Sequence, residues 1–160
     1  MSDQQPDIDY QALAELRYQI RRFLRFSEQV ARSAGIEPQH YLLLLMIKGL
    51  PAGKKPTIGE LAERLQIQHN SAVELVNRLE ERQLVERQRS ESDQRQVIVT
   101  LTTRGEYILQ KLASHHHAEL QTIGPAFLRT LEATLVRSRE NQRQLAHLQE
   151  GIDYTHGEES

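Results

Sequence analysis

Between residues 69 and 95 the chain holds side chains suited to reading a nucleic-acid duplex. His69, Asn70, Ser71, Glu74, Asn77 and Arg78 come first, then Arg87, Arg89, Asp93 and Arg95. Asn pairs with adenine through two hydrogen bonds, and Glu accepts from the cytosine amino group. Arg holds phosphates, and it gains from the negative potential of a narrow minor groove. A carboxylate two residues before an Arg, as in Asp93 and Arg95, holds that Arg or a neighbouring one by a charge-assisted bond. The same residue types also occur on ordinary solvated faces, so placement decides between the two readings.

The placement is a helix pair followed by a hairpin. Thr57-Ile58-Gly59-Glu60 has the pattern of a capping box opening a short helix through Leu65. A polar turn around Ile67 leads to a second helix from about Asn70 to Gln83. On its wheel Ala72, Leu75, Val76 and Leu79 form a buried stripe. Asn70, Glu74, Asn77 and Glu81 lie opposite, flanked by Ser71 and Arg78. Residues 69–74, at the start of the helix, are best placed for base edges, and Arg78 for a phosphate. Leu84 to Arg89 and Gln96 to Leu101 read as strands across a hydrophilic loop. Arg87, Arg89 and Arg95 cluster at that hairpin, with Glu91 and Asp93 opposing them.

The flanks are helical. From Asp9 to about Ser33, Leu13, Leu16, Ile20, Phe23, Leu24 and Val30 recur at three- and four-residue steps, and Gly35 closes the helix. Arg17, Arg21, Arg22, Arg25 and Arg32 fill the other face. A membrane surface would attract such a face, but Glu15 and Glu28 interrupt it, and packing of Arg stems in a dimer interface explains it equally. Pro38 suits the first turn of a second helix, whose run Leu42 to Ile47 is apolar all round. A capping box at Thr103 to Glu106 starts a helix to about Gln121, and Pro125 opens a last one bearing Phe127, Leu128, Leu131, Leu135, Leu145 and Leu148.

The stretch LAERLQIQHNSAVELVNRLEERQLVERQRSESDQRQVIVTLTTRG resembles the MarR family of bacterial transcriptional regulators. Its marks are Leu61-Ala62, the helix core ending Leu79-Glu80, the Leu84-Val85 strand, the Asp93-x-Arg95 wing, Leu101-Thr102 and Arg104-Gly105. The resemblance implies a mainly α fold with a small β-hairpin wing. This is a winged helix-turn-helix with N- and C-terminal dimerisation helices. The corresponding parts are a disordered tail 1–8, dimerisation helices 9–35 and 104–149, a DNA-binding domain 36–103 and a flexible tail 150–160.

It further implies a homodimer on double-stranded, pseudo-palindromic DNA, acting as a repressor released by a small, often aromatic effector. Gln68, Asn70, Ser71 and Arg78 fall where members contact DNA, Arg95 is the wing-tip Arg, and Asp93 stabilises the wing. Arg17, Tyr18, His40 and Tyr41 lie on helices bordering the family's ligand cleft. Gln66 and Gln83 stand where many members carry glycine, so either they adopt a strained positive φ or the turns differ. Glu74 replaces a basic or small polar residue, and either reads a base amino group or points away.

Other classes find little support. The formal charge is −2, and residues 54–104 carry nine basic against eight acidic side chains, so bulk charge does not favour DNA. An interaction module built on a winged helix, without sequence-specific DNA binding, is the alternative. No cysteine is present, which excludes disulfides and thiolate metal sites. No phosphate loop, nucleophile elbow or zinc-protease motif occurs, so neither an enzyme nor a cofactor is expected. His115, His116 and His117 point about 100° apart on a helix and do not converge on one metal. Surface or dimer-interface packing with some pH sensitivity is the expectation for them. The acidic N-terminus is no signal peptide, and no apolar run spans a bilayer, so a cytoplasmic protein is expected.

Overall fold

The computed structural model describes residues 8–153, apart from the side chains of 137–142 and 144–153. The elements are α1 (Tyr10–Ser33), α2 (Pro38–Lys48), α3 (Ile58–Leu65), α4 (His69–Glu81), β1 (Val85–Arg89), β2 (Val97–Leu101) and α5 (Thr103–Asp153). The chain forms two compact units, Arg25–Ala118 and Met1–Leu24 with Glu119–Ser160.

In the unit Arg25–Ala118, one apolar core joins every element. Ile36, Tyr41, Leu43 and Leu44 meet Leu61 of α3, Leu75, Val76 and Leu79 of α4, Val85 and Val99 of the hairpin, and Leu109 and Leu112 of α5. The stripe read from the α4 wheel is buried as expected. The all-apolar run of α2 buries Leu43 and Leu44, while Leu42 stays partly exposed.

The strands pair antiparallel, with Val85 opposite Leu101 and Arg89 opposite Val97. Val99 also donates its main-chain N–H to the Pro56 carbonyl at 2.9 Å, so the loop before α3 lies along β2.

Local chemistry sets the element ends. Asp9 accepts from the Ala12 N–H at 2.9 Å and caps α1, and Gly35 leaves that helix with φ +71°. Thr57 caps α3 by accepting from the Glu60 N–H at 3.2 Å. The reciprocal half of the expected capping box is missing, because the Glu60 carboxylate is taken by Lys54 at 2.9 Å and Arg64 at 3.0 Å. The hydrogen bond from Lys54 holds the Glu60 carboxyl below its ordinary range.

Gln66 and Gln83 both take the left-handed conformation, with φ 54° and 57°. The two turns therefore keep the glycine geometry without the glycine. The Gln66 amide donates to the Glu63 carbonyl at 2.6 Å and partly compensates its own strain.

Two expectations about the C-terminal part need correction. The cap of α5 is Thr102, whose hydroxyl accepts from the Gly105 N–H at 3.0 Å, while Glu106 pairs with Lys48 at 2.6 Å. The break before Pro125 does not occur, and α5 runs through it. The fixed φ of Pro is helical, so its cost is one backbone bond and crowding of the carbonyl four residues back. The preceding Gly124 adds no side chain to that crowding. The helix also enters the expected tail, ending at Asp153, while residues 1–7 and 154–160 and the side chains of Leu145 and Leu148 lie outside the described residues.

Candidate nucleic-acid interface

The outer face of α4 carries the residues picked from its sequence. Gln68 is the N-cap residue, although its side chain makes no capping bond. Gln68, His69, Asn70, Ser71, Glu74, Asn77 and Arg78 are all exposed. The helix rests on α3 and on the hairpin through its buried stripe, so this face is held rigidly outward. Among the described residues, Glu74 and Arg78 form no ion pair.

Asn77 and Arg87 are held differently from the rest. The Arg87 guanidinium donates to the Asn77 side-chain oxygen at 2.7 Å and to the Glu80 carboxylate, and the Arg87 N–H donates to Glu80 at 2.9 Å. Arg87 is half-buried. The pair therefore pins the root of the hairpin to the middle of α4. Glu80 carries this join; the family pattern includes it at the end of the helix core, but nothing in the sequence pairs it with Arg87.

At the hairpin tip Arg89, Asp93 and Arg95 are exposed. Asp93 accepts from the main-chain N–H of Arg95 at 3.0 Å. The expected bond was to a guanidinium; instead the carboxylate folds the turn that presents Arg95. Arg89 donates to the Gln94 carbonyl at 2.9 Å and braces the same turn. The Arg95 guanidinium forms no ion pair with the described residues and projects from a shaped tip.

Behind α4, Arg82 donates to the Gly35 carbonyl at 3.0 Å and lies 3.4 Å from His40 Nδ1. Arg only donates, so Nδ1 is the acceptor and the His40 proton sits on Nε2. Burial, aided by Arg82 and Arg78 against an opposing effect of Glu37, lowers the His40 pKa. Tyr41 is buried beside it in sequence, which raises its pKa.

The Tyr41 hydroxyl meets His116 Nδ1 at 2.6 Å, and His116 Nε2 meets the Ser27 carbonyl at 3.3 Å. That carbonyl can only accept, so Nε2 is protonated and Tyr41 donates to Nδ1. His116 is thus an interior residue, contrary to the surface or interface placement expected for the triplet. Its neighbours His115 and His117 are exposed. Burial lowers the His116 pKa, partly offset by the Ser27 bond, and His115 adds to the lowering.

Of the candidate ligand residues, His40 and Tyr41 are thus buried and hydrogen-bonded. Arg17 and Tyr18 are exposed on α1, with the Arg22 guanidinium 5.9 Å from the Tyr18 ring centre. Among the described residues no cluster of His, Asp and Glu has metal-binding geometry. No described helix is long and apolar enough to cross a membrane.

Residues 34–96 match the MarR family. No curated protein matches the chain. Among solved structures, the fold is similar to AbsC, a MarR family transcriptional regulator from Streptomyces coelicolor, with TM-score 0.61 and 23% identity over 83% of this chain and 93% of that one. It is similar to a MarR family protein from Bacillus stearothermophilus, with TM-score 0.61 and 21% identity over 88% and 99% of the two chains. A mutant of S. aureus MepR bound to an oligodeoxyribonucleotide gives TM-score 0.53 and 20% identity over 93% and 99%. At these identities the likeness to the solved structures is one of fold.

Proposed function

We propose that this chain, which carries a MarR-family winged helix over residues 34–96, is a cytoplasmic, homodimeric DNA-binding transcriptional regulator that represses from a pseudo-palindromic operator. The observation that carries the reading is the pairing of two exposed elements on one core. The α4 face bears Gln68 to Arg78, and the braced tip bears Arg95. Base edges fall to residues 68–74, phosphates to Arg78 and Arg89, and the minor groove to Arg95. Asn77, Arg87 and Asp93 serve by holding the wing, since Arg87 donates to Asn77 Oδ1 and to Glu80, and Asp93 Oδ1 accepts from the Arg95 N–H.

A dimer is supported by large apolar side chains exposed along α1 and α5. Tyr10, Leu13, Tyr18 and Leu24 are among them on α1, with Leu120, Leu128 and Leu135 on α5. Such patches mark surfaces that a partner covers. Two recognition helices in the dimer would sit about 34 Å apart, one turn of B-DNA. Release by a small aromatic ligand completes the reading; within the unit Arg25–Ala118, His40 and Tyr41 would be reached only by disturbing their present bonds.

Selection of bound fragments from a random duplex pool tests this. The reading requires recovery of an inverted repeat with half-sites one helical turn apart, bound by two chains. Unselective recovery would favour the interaction module, for which the exposed acids Glu74 and Glu81 speak.

A further inference from the structure

The hairpin tip is shaped by its own bonds. Ser90 donates its N–H to the Gln96 carbonyl at 2.8 Å, Gln96 to the Asp93 carbonyl at 2.9 Å, and Arg95 to the Asp93 carboxylate at 3.0 Å. None of these ties the tip to the helix-turn-helix. One side chain outside the hairpin does so among the described residues. The Lys55 ammonium donates to Ser90 Oγ at 3.0 Å and also to Ser92 Oγ, and the two hydroxyls lie 3.1 Å apart.

We propose that Lys55 is the positioning residue of the wing, fixing through Ser90 and Ser92 where the Arg95-bearing tip stands relative to α4. The backbone at Lys55 is itself anchored. Its carbonyl accepts from the Thr57 N–H at 2.8 Å, and the next carbonyl, of Pro56, accepts from Val99 of β2 at 2.9 Å. A short path therefore runs from the start of α3 through Lys55 to the tip. Ser90 is only 3% exposed, so its hydroxyl depends on protein partners, and a charged donor is a strong one. The adjacent Lys54 is committed elsewhere, to Glu60 of α3, so it cannot substitute.

This assignment rests on the wing being a DNA contact, but its first test does not. In the full chain without DNA, Lys55→Met keeps the aliphatic stem and removes the ammonium. Amide exchange at Ser90 and Gln96 should rise about 5-fold, with Lys55→Arg restoring much of the protection and overall helicity unchanged. Unaltered exchange in Lys55→Met would overturn the proposal.

The second test measures binding to a duplex recovered by the selection above, across a range of salt. Lys55→Met should weaken binding about 3- to 10-fold, within what a charge-assisted hydrogen bond can supply. The double variant with Arg95→Ala should be little weaker than Arg95→Ala alone, and should lose no further ion from the salt slope. Additive losses, with the double variant losing two ions, would make Lys55 an independent phosphate contact and overturn the positioning role. A wild-type chain that binds no duplex would remove the DNA reading, while the exchange result would still decide whether Lys55 holds the tip.

Discussion

Glu80 of α4 accepts two bonds from Arg87 of β1, one from its N–H at 2.9 Å and one from its guanidinium. Helix α4 and the hairpin are thereby joined by a pair that is only about one-third exposed on either side. Charge-assisted bonds of this kind exceed ordinary surface pairs, although partial exposure reduces them.

Removal of either partner should therefore cost about 1–2 kcal/mol of stability. The two losses should overlap by about 1 kcal/mol in a double-mutant cycle of Glu80→Ala and Arg87→Ala, measured by urea unfolding. Fully additive losses would mean that the two side chains act separately.

Gln66 and Gln83 occupy positive φ, where a side chain is strained. Glycine at either position should raise stability, by about 0.5–1 kcal/mol at Gln83 and by less at Gln66. The order follows from the bond that the Gln66 amide makes to Glu63, which glycine would forfeit. Thermal unfolding of Gln66→Gly and Gln83→Gly decides it, and destabilisation at Gln83 would contradict the account.

Gly105 has the opposite requirement. A Cβ there would lie 2.0 Å from the Leu84 carbonyl oxygen, which is backbone and cannot swing away. The same carbonyl accepts from the Thr102 N–H at 3.1 Å, so the start of α5 is locked against the turn between α4 and β1. Gly105→Ala should cost about 1–3 kcal/mol. A neutral effect in urea unfolding would show that this approach is looser than described.

Acid should weaken the fold through its two buried histidines. His40 and His116 both have pKa values lowered below the ordinary 6.5, chiefly by burial. The unfolded chain then takes up protons first as pH falls. Their stabilising contribution is complete above about pH 6.5 and is lost below it, towards the lowered folded values. The melting temperature should drop between pH 7.5 and 5.5, and His116→Gln should flatten that dependence. An unchanged slope would place the acid sensitivity elsewhere.

The local features were legible because they are local. The stripe Ala72, Leu75, Val76, Leu79 needs only helical periodicity, and Asp9, Thr57 and Gly35 act within one turn. What escaped depends on residues far apart in the chain. Lys55 reaches Ser90 across 35 positions, and Tyr41 reaches His116 across 75. Nothing in three successive histidines says that the middle one is interior; the packing of α5 decides it. Pro125 misled for another reason, since a fixed helical φ permits continuation as well as a start. At the site, residue types alone do not separate the side chains that hold the wing from those left free. Asn77, Arg87 and Asp93 are engaged internally, and Arg95 is held only through its main chain.

On the proposed function, Arg95 enters a DNA groove from a braced wing. The direct measurement is the affinity of wild type and Arg95→Ala for a selected duplex as a function of salt. The variant should bind about 10-fold more weakly, with a salt slope shallower by about one ion and the fold unchanged. Equal affinity and equal slope would contradict it.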